Sequence, residues 1–217
     1  IGNVAFSNTD IDMIVQAEET QPSSPGILAI PASVTIVGAG AFHNCQKLTS
    51  VTWPESLTTI SNNAFSSCAA LSDITLSETL TTVGNRAFKD CTALGSITLP
   101  ETLTTIGYLA FQNCSGLIEV TIPASVSKTG YDYDLDKYKG RWFYGCTNLA
   151  QITLENGMTV IPTGAFADIH ASFSISIPST ITTIGNVAFS NTDIDMIVQA
   201  EENQPSSPGI LAIPASV

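Results

Sequence analysis

The sequence predicts a repeat solenoid: a right-handed, β-rich stack of about eight 23-residue coils, joined by a parallel sheet and by short helical or 3₁₀ turns. Three observations predict it. An Ala-Phe dipeptide recurs at Phe6, Phe42, Phe65, Phe88, Phe111, Phe166 and Phe189, with Trp142-Phe143 replacing it once, so the gaps between Phe residues are 36, 23, 23, 23, 32, 23 and 23. Five cysteines, Cys45, Cys68, Cys91, Cys114 and Cys146, each follow such a Phe by three residues. Apolar residues also keep fixed offsets, since Leu71, Ile74, Leu76, Leu80, Val83, Ala87 and Phe88 return as Leu94, Ile97, Leu99, Leu103, Ile106, Ala110 and Phe111. A unit this short cannot bury its own apolar set, whereas stacking at about 4.8 Å buries all of it in one continuous core.

Each element of the coil has its own signal. Ile74-Thr75-Leu76 and Ile97-Thr98-Leu99 alternate with period two and are β-branched, so they read as one short strand. Pro54, Pro100, Pro123 and Pro178 end that strand because proline cannot donate to a ladder. The Leu-Thr-Thr-Ile-Gly run that follows predicts a second short strand before a glycine turn. The Ala-Phe-x-x-Cys stretch is too short for a free helix and predicts a single helical or 3₁₀ turn.

The motif Leu-Thr-Thr-Ile-Gly-Tyr-Leu-Ala-Phe-Gln-Asn-Cys-Ser-Gly-Leu-Ile-Glu-Val-Thr-Ile-Pro at residues 103–123 resembles the BspA-like class of bacterial leucine-rich repeat, and the likeness runs over nearly the whole chain. The resemblance implies a leucine-rich-repeat solenoid on the cell surface or secreted, in host-associated or anaerobic microbes, linked with adhesion to a host or bacterial surface protein or glycan. It implies no catalytic set, and no cofactor is expected.

Composition agrees with a module of this kind. The 217 residues carry 7 Lys and Arg against 19 Asp and Glu, a formal net charge of −12, so no basic surface is present to neutralise phosphates and nucleic acid is excluded as a partner. No apolar run approaches the roughly 20 residues of a membrane span. Catalysis lacks material: the two histidines, His43 and His170, lie far apart in the stack, His43 is expected as an exposed turn residue, and no nucleophile-elbow, zinc-protease or phosphate-loop motif occurs. An enzyme is not expected.

A longer repeat overlies the short one. Residues 1–34 and 184–217 are identical except for Thr20 against Asn203, which records duplication of a 183-residue super-unit. The chain reads as a single solenoid domain over 1–217, with one super-unit at 1–183 and the start of a second at 184–217. It opens on Ile1 and is expected to be part of a longer tandem parent. Uncapped coil edges predict head-to-tail self-association, and a heterologous contact that does not close builds a filament.

Insertions interrupt the coil rhythm at 17–26, 127–141 and 200–209. The first and last are copies rich in Pro, Ser and Glu, and they read as solvated loops. The segment 127–144 holds four of the five Tyr and one of the two Trp amid charges of both signs. That is the composition of a recognition loop, so Tyr131, Tyr133, Tyr138, Arg141, Trp142 and Tyr144 are partner-binding candidates, against the alternative of a loop packed on the solenoid flank. Asp132, Asp134 and Asp136 match the first three ligand positions of a calcium loop, but Lys137 and Phe143 stand where its glycine and glutamate belong, so the match is weak. The five cysteines, one per coil, would lie within disulfide reach, yet parallel side chains give poor dihedral geometry and no C-x-x-C pair suits zinc. A buried column of reduced thiols acting as small hydrophobes is expected, and Thr9, Ile169 and Thr192 at the same position support it.

Overall fold

The computed structural model describes residues 26–130 and 140–199, and within them the chain is a parallel β-solenoid. The alternating segments form the wider face: β1 (Ile27–Ala29), β3 (Ser50–Thr52), β5 (Asp73–Thr75), β7 (Ser96–Thr98), β9 (Glu119–Ile122), β11 (Gln151–Leu154), β13 (Phe173–Ile177) and β15 (Ile194–Gln199). Two-residue strands form a narrower second ladder: β2 (Ile36–Val37), β4 (Thr59–Ile60), β6 (Thr82–Val83), β8 (Thr105–Ile106), β10 (Lys128–Thr129), β12 (Val160–Ile161) and β14 (Thr183–Ile184). Paired residues stand one coil apart, as in Ile74 with Ile97. The longer gap is absorbed without a slip, since Ile152 pairs with Val120. A one-residue slip would turn every apolar side chain to solvent, so burial holds the register. In β7 Ile97 is buried while Ser96 and Thr98 face outward.

The prolines act as expected. β9 stops directly before Pro123 and β13 directly before Pro178, and the carbonyls of Pro54, Pro100, Pro123 and Pro178 then accept turn bonds from Leu57, Leu103, Val126 and Ile181. At Gly107, which closes Leu-Thr-Thr-Ile-Gly, a Cβ would run into the backbone of Gly84 one coil below, so close approach requires glycine there.

The Ala-Phe segment differs from expectation: no helix occurs among the described residues. Instead, the residues two before and two after each Phe are left-handed, such as Asn63 (φ 55°) and Ser67 (φ 64°) around Phe65. This alternation turns every second N–H sideways, so that Asn63, Phe65 and Ser67 donate to Asn85, Ala87 and Lys89 of the next coil at 2.9, 2.8 and 2.7 Å. The intervening N–H groups of Ala64, Ser66 and Cys68 close turns within the coil, onto Ser61, Asn63 and Phe65. A helix would satisfy its N–H groups along its own axis and leave the neighbouring coil unbonded. The turns therefore make a third seam of inter-coil hydrogen bonds.

The core is built in columns. Phe42, Phe65, Phe88, Phe111, Phe143, Phe166 and Phe189 stack ring on ring, with successive centroids 5.1, 5.7, 5.7, 5.5, 6.4 and 5.5 Å apart. These seven rings bound about six complete turns rather than eight, the unit of Phe6 lying outside the described residues. The single sheet expected is interrupted as well. The wide ladder divides into β1–β3, β5–β7 and β9–β11–β13–β15, and the narrow one into a five-stranded run from β2 to β10 and the pair β12–β14.

Candidate functional site

A flush solenoid offers no concavity, because coils at strand spacing leave no room between them. Clefts open here where ladder pairing lapses. One of about 660 Å³ lies between β3 and β5, one of about 650 Å³ lies over β7 and β9, and one of about 470 Å³ lies between β10 and β12. The two tryptophans stand at two of these breaks, and they do so differently.

Trp142 occupies a position that is Ala in the other described coils: Ala41, Ala64, Ala87, Ala110, Ala165 and Ala188. The space it fills is vacated by Thr129, which stands where those coils carry Val or Ile pointing into the core. The indole is fully buried, edge-on to Phe143 and Phe166, and its Nε1–H donates to the Ile106 carbonyl at 3.0 Å and to Thr129 Oγ1 at 3.1 Å. A large residue with every polar group bonded wedges the narrow ladder open where the insertion leaves it.

Trp53 replaces a residue that is Ile30, Leu76, Leu99, Ile122, Leu154 or Ile177 in six other described coils. It is only half-buried, packs edge-on to Phe65 at 5.4 Å, and its Nε1–H is shielded from water with no hydrogen-bond partner among the described residues. It lines the cleft between β3 and β5 together with Thr52, Glu55, Thr75 and Glu78. Glu78 also borders the next cleft, where Glu101, Glu119 and Glu155 gather with Gln151 and Thr153. Glu101 and Glu155 reach each other across the small Ala124, and a hydrogen bond that the protonated Glu101 donates to Glu155, with repulsion from the Glu155 charge, holds the exposed Glu101 carboxyl above its usual pKa. The Glu155 carboxylate also accepts the Ala124 N–H at 3.1 Å.

The cysteine column is buried and reduced. Its thiols do more than fill space: Cys68, Cys91, Cys114 and Cys146 Sγ donate to the carbonyls of Phe42, Phe65, Phe88 and Phe111 in the preceding coil at 3.1 to 3.2 Å. Each of those carbonyls also accepts a turn bond from its own coil. Thr192 keeps a donor at this position, its Oγ1 bonding the Phe189 carbonyl at 2.8 Å. A hydrogen bond with Cys45, then burial, pushes the Cys68 thiol far up, and burial pushes Cys91 and Cys146 up to about 12 and Cys114 well above the ordinary 9.0. None of these four is a thiolate at neutral pH, so none of them is a nucleophile.

The partner-binding candidates separate. Tyr131, Tyr133 and Tyr138 lie outside the described residues, as do Asp132, Asp134 and Asp136. Trp142 is corrected outright, since full burial and two hydrogen bonds make it core rather than contact surface. Arg141 is tied through Nε to Asp168 Oδ2 at 2.6 Å, and Asp168 in turn accepts from Asn191 at 2.9 Å. Tyr144 is the exposed member, edge-on to His170 at 6.4 Å. The insertion also narrows: Lys128 and Thr129 pair with β8 and residues 140–144 rejoin the turn seam, so the extra residues are 131–139 rather than 127–141. His43 is half-buried rather than exposed. Among the described residues no group of three or more His, Cys, Asp or Glu is arranged to hold a metal, and no helix is long and apolar enough to cross a membrane.

Sequence reasoning missed Trp53, Thr129 and the Glu101–Glu155 pair. Aligning the coils with one another flags the first two, because Trp53 interrupts a run of Leu and Ile from Ile30 to Ile177 and Thr129 a run of Val and Ile from Val37 to Ile184. The carboxylate pair needs the fold, since its members are two coils apart.

Comparison with known proteins agrees with this architecture. Residues 24–133 and 129–205 match the BspA type leucine rich repeat region, in six copies. Among solved structures, the Treponema pallidum leucine rich repeat protein is similar at 23% identity and a TM-score of 0.55, over 80% of this chain and 72% of that one. A leucine rich cell surface protein from Faecalibacterium prausnitzii A2-165 aligns at 23% identity and a TM-score of 0.48, over 91% of this chain and 64% of that one. A leucine-rich repeat protein from Eubacterium ventriosum aligns at 18% and 0.43, over 89% of this chain and 68% of that one. No curated protein matches the chain.

Proposed function

Because this chain belongs to the BspA-type leucine-rich repeat family, we propose that it is a non-enzymatic binding module of a bacterial cell surface or secreted protein, which presents its outer faces to a protein or glycan partner. The observation that carries this reading is where the chain departs from its own repeat. Core positions recur coil after coil, while the departures are a nine-residue insertion bearing Tyr131, Tyr133 and Tyr138, the exposed Tyr144 beside it, and a tryptophan in an open cleft. Aromatic side chains at accessible positions are the usual anchors of recognition surfaces. Polar side chains of the inner coils are turned to structure instead. Thr58, Thr81 and Thr104 hydroxyls, for example, each donate to the carbonyl of the equivalent residue one coil back at 3.1 to 3.2 Å. Binding of the whole chain to immobilised host matrix proteins and to sibling cells tests the reading. Loss of binding on replacing Tyr131, Tyr133 and Tyr138 by Ala with an unchanged thermal melt is expected, and unaltered binding counts against the insertion as the contact.

A second reading, a head-to-tail fibre component, is favoured by the near identity of residues 1–34 and 184–217. Sedimentation over a wide concentration range with electron microscopy distinguishes it. Filaments at high concentration support the fibre, and a monomer throughout removes it.

A further inference from the structure

We infer that the cleft between β3 and β5 is a saccharide-binding site, with the Trp53 indole as its platform and the Glu55 and Glu78 carboxylates as its hydroxyl acceptors. The inference rests on the reading of the chain as a surface binding module and names one site and one ligand class for it. The argument starts from the contrast between the two tryptophans. Trp142 opens a break in the narrow ladder, but it is sealed in the core, its N–H bonded twice, and Thr129 makes room for it. Trp53 also stands at a break, since β3 and β5 do not pair, yet no hydrogen bond among the described residues answers its N–H. Six other described coils fill the same position with Ile30, Leu76, Leu99, Ile122, Leu154 and Ile177. A buried, unpaired donor and a lapsed ladder both destabilise, so the tryptophan serves something outside the fold.

The lining says what that is. An indole gives a flat apolar surface for the C–H face of a sugar ring. Around it the exposed Glu55, Glu78, Thr52 and Thr75 supply carboxylate and hydroxyl oxygens, the partners that vicinal sugar hydroxyls require. Among the described residues no Lys, Arg or His borders this cleft, so its lining disfavours an anionic ligand and suits a neutral one. An indole between carboxylates also suits a cation. The Thr52 and Thr75 hydroxyls favour the neutral polyol, and the cation is an outcome of the test. The volume of about 660 Å³ suits a ligand of two or three sugar rings.

Fluorescence tests this directly because the chain has two tryptophans. In a Trp142→Phe background, Trp53 emission is followed while cellotriose, maltotriose, triacetylchitotriose and, as the cationic probe, tetralysine are added to the whole chain. The expected result is saturable quenching by at least one saccharide. That response weakens about tenfold in Glu78→Gln, through loss of a charged acceptor, and saccharide binding disappears by calorimetry in Trp53→Leu. The leucine variant restores the residue found in sister coils, so its melt is expected to match or exceed that of the parent. No quenching by any of the three saccharides, quenching by tetralysine alone, or undiminished saccharide binding in Trp53→Leu overturns the proposal. Trp53→Leu that loses saccharide but still binds host protein leaves the surface-module reading in place, so the two can fail separately.

Discussion

Cys91 shows how one residue does two jobs in this chain. It fills a core column and donates its S–H to the Phe65 carbonyl, and both require the neutral thiol. The folded thiol titrates near 12 against an ordinary value of 9.0, so its folded pKa lies above its unfolded one. Its stabilisation is therefore complete below pH 9.0 and lost as pH rises through that window, at up to about 1.4 kcal/mol per pH unit for each such thiol. Cys146 shares the shift and adds to it. Urea midpoints measured from pH 7 to 11 should stay flat and then fall steeply, and replacing Cys91 and Cys146 by Val should flatten the fall. Val187 offers the opposite lesson. It is 58% exposed and β-branched, yet it sits at φ 52°. Gly40 and Gly164 hold the equivalent position with no such penalty. Left-handed backbone costs an L-residue about 1–2 kcal/mol, partly offset by the entropy of a glycine. Val187→Gly should raise stability by about 1 kcal/mol, read as a higher urea midpoint at constant slope.

Among the elements, the coil that carries the insertion is the informative one. Nine residues enter between β10 and the Phe143 turn, yet β9 and β11 pair in register across it. What changes is local: Thr replaces Ile or Val, Trp replaces Ala, and the narrow ladder parts between β10 and β12. Trp142→Ala should cost about 4 kcal/mol, as a buried aromatic leaving a cavity. Thr129→Ile should cost about 2 kcal/mol by crowding the indole and removing its acceptor. The double variant restores the Ile–Ala pair of the other coils, so its cost should fall short of the sum by at least about 1 kcal/mol. Additive costs measured by denaturant unfolding would show that the two residues do not share one space.

At the scale of the whole molecule, each coil packs its core on its two neighbours, so cooperativity depends on the interfaces between them. Phe88 stacks on both Phe65 and Phe111, midway between Trp53 and Trp142. Phe88→Ala, at about 4 kcal/mol, should weaken that central joint more than either half. Unfolding followed by Trp53 in a Trp142→Phe chain and by Trp142 in a Trp53→Leu chain should coincide without the Phe88 change and separate with it. Coincident curves in both would mean the seams along the sides hold the halves together without the aromatic column.

Period and composition alone determined the solenoid, its 23-residue coil, the inward set, the proline stops and the family, because each follows from one short pattern that must bury itself against copies of itself. The register across the 32-residue gap was also legible, since only one alignment keeps Ile152 opposite Val120. Tertiary structure decided the rest. It turned the Ala-Phe segment into alternating left-handed turns rather than a helix, because N–H groups had to reach the next coil. It took Trp142 into the core, because Thr129 left room for it there. It left Trp53 half-buried at an open cleft, because β3 and β5 part beside it. Whether a large side chain becomes core or contact surface depends on the space its neighbours leave, and that space belongs to the stack of coils rather than to any single repeat.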